Sequence, residues 1–281
     1  MPSRRAKALR SRAKAVRVVS AASGVLAGSV WPPSARSAAP LSERQPIFNV
    51  PGVVLGLLAT FALVHLVLWG LLPPDDSEWL VVALAFIPAR VAGMTADVPG
   101  GTVAVYTSFI THQFVHGSLP HLIINSAWLL AFGSPIARRT DALRFLAFFL
   151  LCGIAGAGAY LIFNGAAQIL VVGASGAISG LMGAAIRFVF ASMGEGGRGL
   201  ANVSRTPLMS LRETFRDRRL LMMIGAWTVL NVLLAQGAAG LMEAAGIAWE
   251  AHLGGFYAGL LLYGAFDRPA APTGGHAAPA A

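Results

Sequence analysis

The sequence predicts an all-α, polytopic membrane protein, a six-transmembrane-helix bundle, and three observations predict it. Charged residues make up only 12% of the 281 residues against 56% hydrophobic, and mean hydropathy is +0.67. Soluble domains carry about 25% charged residues, so half that share points to lipid as the solvent. Six apolar segments, near 50–72, 118–137, 142–163, 169–190, 220–241 and 246–266, each supply the about 20 residues needed to cross roughly 30 Å of hydrocarbon. The connections between them alternate in charge. Basic residues gather in the N-terminal tail (Arg4, Arg5, Lys7, Arg10, Arg12, Lys14, Arg17), after span two (Arg138, Arg139) and after span four (Arg198, Arg205, Arg212, Arg216, Arg218, Arg219). The intervening loops hold Asp75, Asp76, Glu78, Asp97, Glu243 and Glu250, with Arg90 as their only basic residue. By the positive-inside rule both termini and the even-numbered connections are cytoplasmic.

Each segment has its own justification. Residues 1–49, basic and Ala- and Ser-rich, read as a disordered cytoplasmic extension. The run "VVSAASGVLAGSVW" followed by "ARSAAP" has the outline of a weak signal peptide. Cleavage there would turn the Arg-rich connection after span four outward, against the charge pattern. An organelle transit peptide is the other alternative. Residues 50–266 form the membrane domain. Its long first loop, 73–117, contains "EWLVVALAFIPAR", too short to span and apolar enough to lie in the outer interface or against the bundle. A long loop with its own apolar content is often functional. Spans four and six are rich in glycine, which is tolerated in lipid and lets helices approach closely. Span five is weakest in its second half, Gln236 to Gly240. The tail 267–281 is low-complexity and expected to be disordered. Cys152, the single cysteine, excludes an internal disulfide and reads as a small packing residue.

Strongly polar groups inside a span are costly and are functional candidates by default. Span two carries His121 and Asn125, one helical turn apart and on one face; span four carries Ser175, and span six His252. At about 1.5 Å per residue from the outer ends of their spans, all four lie roughly 5–10 Å below the outer surface. A serine hydroxyl becomes a nucleophile when a base takes its proton, and a neutral imidazole suits that task near pH 7. Gly176 and Gly180 form one G-x-x-x-G and Gly255 and Gly259 another, so the helices bearing Ser175 and His252 can pack backbone to backbone. His121, Asn125 and the Ser175 backbone N–H can donate to a carbonyl oxygen as it becomes an oxyanion. Glu250, two residues before His252, points to a different side of the helix. The pattern is therefore a Ser–His dyad, its imidazole oriented by packing and by neighbours the sequence does not name. His65 reads as packing or interfacial, and Asn231 as an interhelical hydrogen bond.

Gly173-Ala174-Ser175-Gly176, Ala251-His252-Leu253-Gly254-Gly255 and His121-x-x-x-Asn125, in this order on spans four, six and two, together resemble the rhomboid intramembrane serine proteases. The resemblance covers about residues 50–266. It implies Ser175 as nucleophile, His252 as base, His121 and Asn125 in the oxyanion hole, and His116 as a supporting histidine. The substrates it implies are single transmembrane helices cut near the outer face. Two positions depart from the family. Ser179 stands where some members place a tyrosine against the catalytic histidine, and Ala89-Arg90 where some have Trp-Arg.

Other readings fit less well. A dinucleotide loop at "VVGASGAISG", with Glu195 as the ribose acid, needs a strand–turn–helix–strand context that "LMGAAIRFVFA" does not supply. A soluble hydrolase elbow needs G-x-S-x-G, and Ala177 follows Gly176. His112, His116 and His121 lack an acidic or cysteine partner at their depth for a metal site. No cofactor, metal or nucleic-acid partner is expected; the expected partners are membrane lipid and transmembrane substrates. An inactive binding or trafficking relative and a small-solute transporter are the alternative functions. High Ala, Gly and Arg usage is compatible with a bacterial inner membrane, with the mitochondrial inner membrane as the alternative.

Overall fold

The computed structural model describes residues 50–95, 98–193, 203, 206–235 and 248–268. The basic N-terminal stretch, Asp97, Glu195, Arg198, Arg205, the Gln236–Gly240 half of span five, Glu243 and the C-terminal tail from Pro269 lie outside the described residues. Among the described residues every named element is a helix: α1 (Gly52–Leu66), α2 (Pro74–Leu84), α3 (Pro88–Val91), α4 (Gly101–Thr111), α5 (Leu119–Trp128), α6 (Ser134–Ala137), α7 (Ala142–Asn164), α8 (Ser175–Met193), α9 (Leu211–Thr214), α10 (Arg218–Ala235) and α11 (Trp249–Leu262). A π turn, Val67–Leu71, extends α1, and another, Leu129–Gly133, joins α5 to α6. Three of the resulting stretches are long and apolar enough to cross a membrane, namely Gly52–Leu71, Leu119–Ala137 and Ala142–Asn164, while Ser175–Val189 is apolar but shorter. Large apolar side chains stand exposed on the outside, among them Leu63, Ile123, Trp128, Leu143, Ile162, Phe163, Val229 and Leu233. So much exposed apolar surface is incompatible with water and suits lipid.

Local chemistry starts the helices where the sequence breaks. Ser118 caps α5 by accepting from the His121 N–H at 3.3 Å, with Pro120 in the first turn. Asp141 caps α7 by accepting from the Arg144 N–H at 2.9 Å, and that hydrogen bond holds its carboxyl below the usual range. Ser210 and Glu213 form a capping box on α9, where the Ser210 backbone N–H draws the Glu213 carboxyl down.

The expectation for span four needs a correction. The apolar run begins near 169, but the helix begins at Ser175, and the residues before it are not helical: Val171 forms a β-bridge, and Gly173 and Ala174 turn into the helix. Tertiary hydrogen bonds hold them so. Phe86 and Val171 exchange backbone bonds of 3.0 and 2.9 Å as an antiparallel bridge, Ala89 donates to the Ala167 carbonyl at 3.1 Å, and Gly173 donates to the His112 carbonyl at 2.9 Å. The first loop is thereby stitched to the approach to α8. Its "EWLVVALAFIPAR" run breaks at Ala85–Ile87 between α2 and α3 and packs against the bundle through Phe86, which is buried with Ala157 and Tyr160. Arg90 is buried and donates to the carbonyls of Ala85, Val82 and Pro99 at 2.6–2.7 Å.

The centre of the bundle is a seam of small residues. A Cβ added at Gly255 would collide with the Gly176 carbonyl oxygen, one at Gly259 with the Gly180 carbonyl oxygen, and one at Gly183 with the Phe256 carbonyl oxygen. The two G-x-x-x-G pairs thus face one another in register, as their spacing suggests, and α8 and α11 touch backbone to backbone. α7 packs on both, with Cys152 buried against Gly180. At the far end of these helices Arg139, counted above as a loop charge, is fully buried. It pairs in a fork with Asp267 at 2.7 Å through both Nε and Nη2. It also donates to the Val203 and Thr206 carbonyls at 2.6 Å and stacks on Phe188 at 4.5 Å. Asp267 and Arg268, whose N–H donates to the Arg139 carbonyl at 3.1 Å, are therefore held to the membrane domain.

Gly259→Leu is expected to lower thermal stability in detergent by about 1–3 kcal/mol through overpacking of the seam. Gly225→Ala on α10, where nothing lies within 4 Å of an added Cβ, should be neutral or stabilising by up to about 1 kcal/mol. Melting curves of the two variants beside wild type check the pair.

Candidate active site

Ser175 is the first residue of α8 and His252 lies in the first turn of α11. Because the glycine seam brings the two backbones together, their short side chains meet. Ser175 Oγ is 2.8 Å from His252 Nε2. At the start of its helix the Ser175 N–H has no partner four residues back, so a backbone donor sits beside the hydroxyl. The other face of the imidazole is also held, since His252 Nδ1 lies 2.9 Å from Asn231 Oδ1 on α10. Asn231 makes the interhelical bond expected of it, and its partner is the histidine. Ser179, one turn below Ser175, is buried but is not the group that holds the ring.

Gly173 has a φ of 117°, open to glycine and strained for other residues, and it lies directly under the His121 ring. A Cβ there would come within 2.7 Å of His121 Cε1 and Nε2. That contact brings His121 of α5 next to the turn that carries the serine. Asn125 is buried and donates through Nδ2 to the His121 carbonyl at 2.9 Å, which leaves a second N–H on the same nitrogen. His116 is buried, with its ring edge-on to His121 at 5.3 Å and against Phe61 at 4.9 Å. Its carbonyl accepts from His65 Nδ1 at 3.2 Å and Trp69 Nε1 at 3.0 Å, which ties α1 to the base of the site. His112 donates from Nδ1 to the Ser108 carbonyl at 2.7 Å within its own segment. Among the described residues no three His, Cys, Asp or Glu side chains gather as a metal site would require. Glu250 turns away from His252 and accepts from Asn164 Nδ2 at 3.1 Å.

The family model of the Rhomboid domain matches residues 104–268, more than half of the chain. The chain belongs to the rhomboid family. Among curated proteins none matches it. The family domain is a multi-span helical bundle, so this rhomboid protein is an integral membrane protein and its all-α architecture is that of its family. The matched segment takes in every sequence-derived site residue: His116, His121, Asn125, Gly173, Ser175, Gly176, His252 and Gly255.

Gly173→Ala adds both backbone strain and a clash with the His121 ring. It is expected to reduce any Ser175-dependent activity by about a hundredfold or more through misplacement of reacting groups, while the α8–α11 seam keeps the fold intact. Turnover measured beside a melting curve separates the two effects.

Proposed function

We propose that this rhomboid protein is an intramembrane serine endopeptidase that cleaves single-span membrane proteins within or near their transmembrane segment. The observation that carries the reading is the 2.8 Å approach of Ser175 Oγ to His252 Nε2 at the mouth of a helix N-terminus. Ser175 is the nucleophile: its proton passes to His252 Nε2 as Oγ bonds to the scissile carbonyl carbon. The resulting oxyanion is met by His121, Asn125 and the Ser175 N–H. His252 then returns the proton to the leaving amine as the C–N bond breaks. A water, deprotonated by the same imidazole, releases the acyl group from Ser175.

The site lies at the end of α8 remote from the Arg-rich connection through Arg212, Arg216, Arg218 and Arg219. In our reading that basic side faces the cytoplasm with both termini and the dyad opens to the opposite face, in a bacterial inner membrane. Water reaches the dyad from that face, and the substrate helix arrives sideways between helices, with α10 and the 73–117 loop as gates. Residues 1–49 and the tail act as extensions of the membrane domain. Cross-linking α10 to α5 should block cleavage of a helical substrate; undiminished cleavage would remove α10 as a gate.

The main test is cleavage of a single-span reporter with a helix-destabilising segment near its outer end. Ser175→Ala and His252→Ala should each lower it at least about a thousandfold at equal expression. His121→Ala and Asn125→Ala should each cost about a hundredfold, the loss of one oxyanion donor. Cleavage retained in Ser175→Ala would assign it to another enzyme.

A further inference from the structure

Asn231 stands apart from the other helix-borne asparagines. Asn125 and Asn164 also donate from Nδ2 to the carbonyl four residues back, at 2.9 Å each, so that bond alone is a local habit of the residue. In Asn231 it has a consequence. Nδ2 donates to the Trp227 carbonyl at 2.9 Å, and because a carbonyl only accepts, the amide cannot be flipped. Oδ1 is therefore the atom that faces His252 Nδ1 at 2.9 Å. An acceptor there requires the imidazole to carry its proton on Nδ1. The Nε2 lone pair is then free and aimed at Ser175 Oγ, 2.8 Å away. Asn231 is only 2% exposed, so the acceptor facing the ring nitrogen is held in the interior of the bundle.

We infer that Asn231 is a positioning residue that completes a Ser175–His252–Asn231 relay, selecting the imidazole tautomer that can accept the serine proton. The role supplies what the small Ser179 leaves open, a support for the ring from the neighbouring helix rather than from α8. It rests on the reading of Ser175 and His252 as nucleophile and base. The same helix pair provides a control. Thr228 donates to the Ile224 carbonyl at 2.8 Å, so Tyr257 must donate to Thr228 Oγ1, also at 2.8 Å, which fastens α10 to α11 without touching the imidazole.

The test uses the full chain in detergent micelles and an alkyl fluorophosphonate. With this probe the Ser175 Oγ–P bond forms, the P–F bond breaks with loss of fluoride, and the serine proton goes to His252 Nε2. Labelling is resolved into a maximal rate and a half-saturating concentration. Asn231→Leu, close in size but without an acceptor, should lower the maximal rate about a hundredfold or more with the half-saturating concentration unchanged, as for a base held in the wrong tautomer. Asn231→Asp keeps an acceptor oxygen and should recover to within about tenfold of wild type. Thr228→Val should label within about twofold of wild type. A maximal rate unchanged in Asn231→Leu would overturn the inference, as would equal losses in Asn231→Leu, Asn231→Asp and Thr228→Val, which would mark a packing role. If wild type labels no faster than Ser175→Ala, the underlying dyad reading falls and this one with it. A wild type that labels, beside an unimpaired Asn231→Leu, removes only the role of Asn231.

Discussion

Everything at the site depends on two helices being allowed to touch through their backbones. Serine and histidine have short side chains, and a hydrogen bond of 2.8 Å between them leaves no room for a conventional helix–helix spacing of about 8–10 Å filled by larger residues. Gly255 against the Gly176 carbonyl and Gly259 against the Gly180 carbonyl remove the intervening atoms. In lipid, where burial of apolar surface drives helices together weakly, close van der Waals approach is also the main source of association. The feature that sets the distance between Ser175 and His252 is thus the feature that holds the helices together.

Around that rigid pair the remaining parts are attached in a graded way. α7 packs on both helices and fills the seam's flank with Cys152. The first loop is bonded to the approach of α8 at Phe86–Val171 and again at Gly173–His112, so the serine is fixed from before as well as from beside. α10 packs chiefly on α11, through Leu220 and Ile224 against Phe256 and Leu260, and its outer face of Val229, Leu230 and Leu233 is open. Its polar ties are Thr228 to Tyr257 and Asn231 to His252. A helix so lightly held is suited to move, yet it also carries the acceptor that steadies the imidazole.

Much of this could be read in the sequence because lipid makes polar residues conspicuous. Ser175, His252, His121 and Asn125 stand out in apolar runs, and the two G-x-x-x-G pairs foretell which helices meet. The helix start at Ser175 could not be read, since Leu170, Val171 and Val172 are as apolar as the helix that follows. Their non-helical form comes from bonds to Phe86 and His112, far away in the chain. Asn231 is legible in the sequence as an interhelical hydrogen bond, but that its partner is the histidine is a tertiary fact. Arg139 is legible as a basic residue beside a span, and only the fold reveals that it is buried and paired with Asp267.

That last pair has a topological meaning. Arg139 and Asp267 are 128 positions apart, so their fork closes the chain into a ring threaded through α7, α8, α10 and α11. Ser175, His252 and Asn231 all lie on the ring, whereas His121 and Asn125 sit on the strand of chain that leads into it. These three residues share one closed contour, which lowers the loop-closure entropy of bringing them together, and His121 is joined to them by packing across the Gly173 turn. Loosening the ring would disturb the mutual alignment of Ser175, His252 and Asn231, and loosening α5 would shift His121 and Asn125, so the two sets of residues can be disturbed separately.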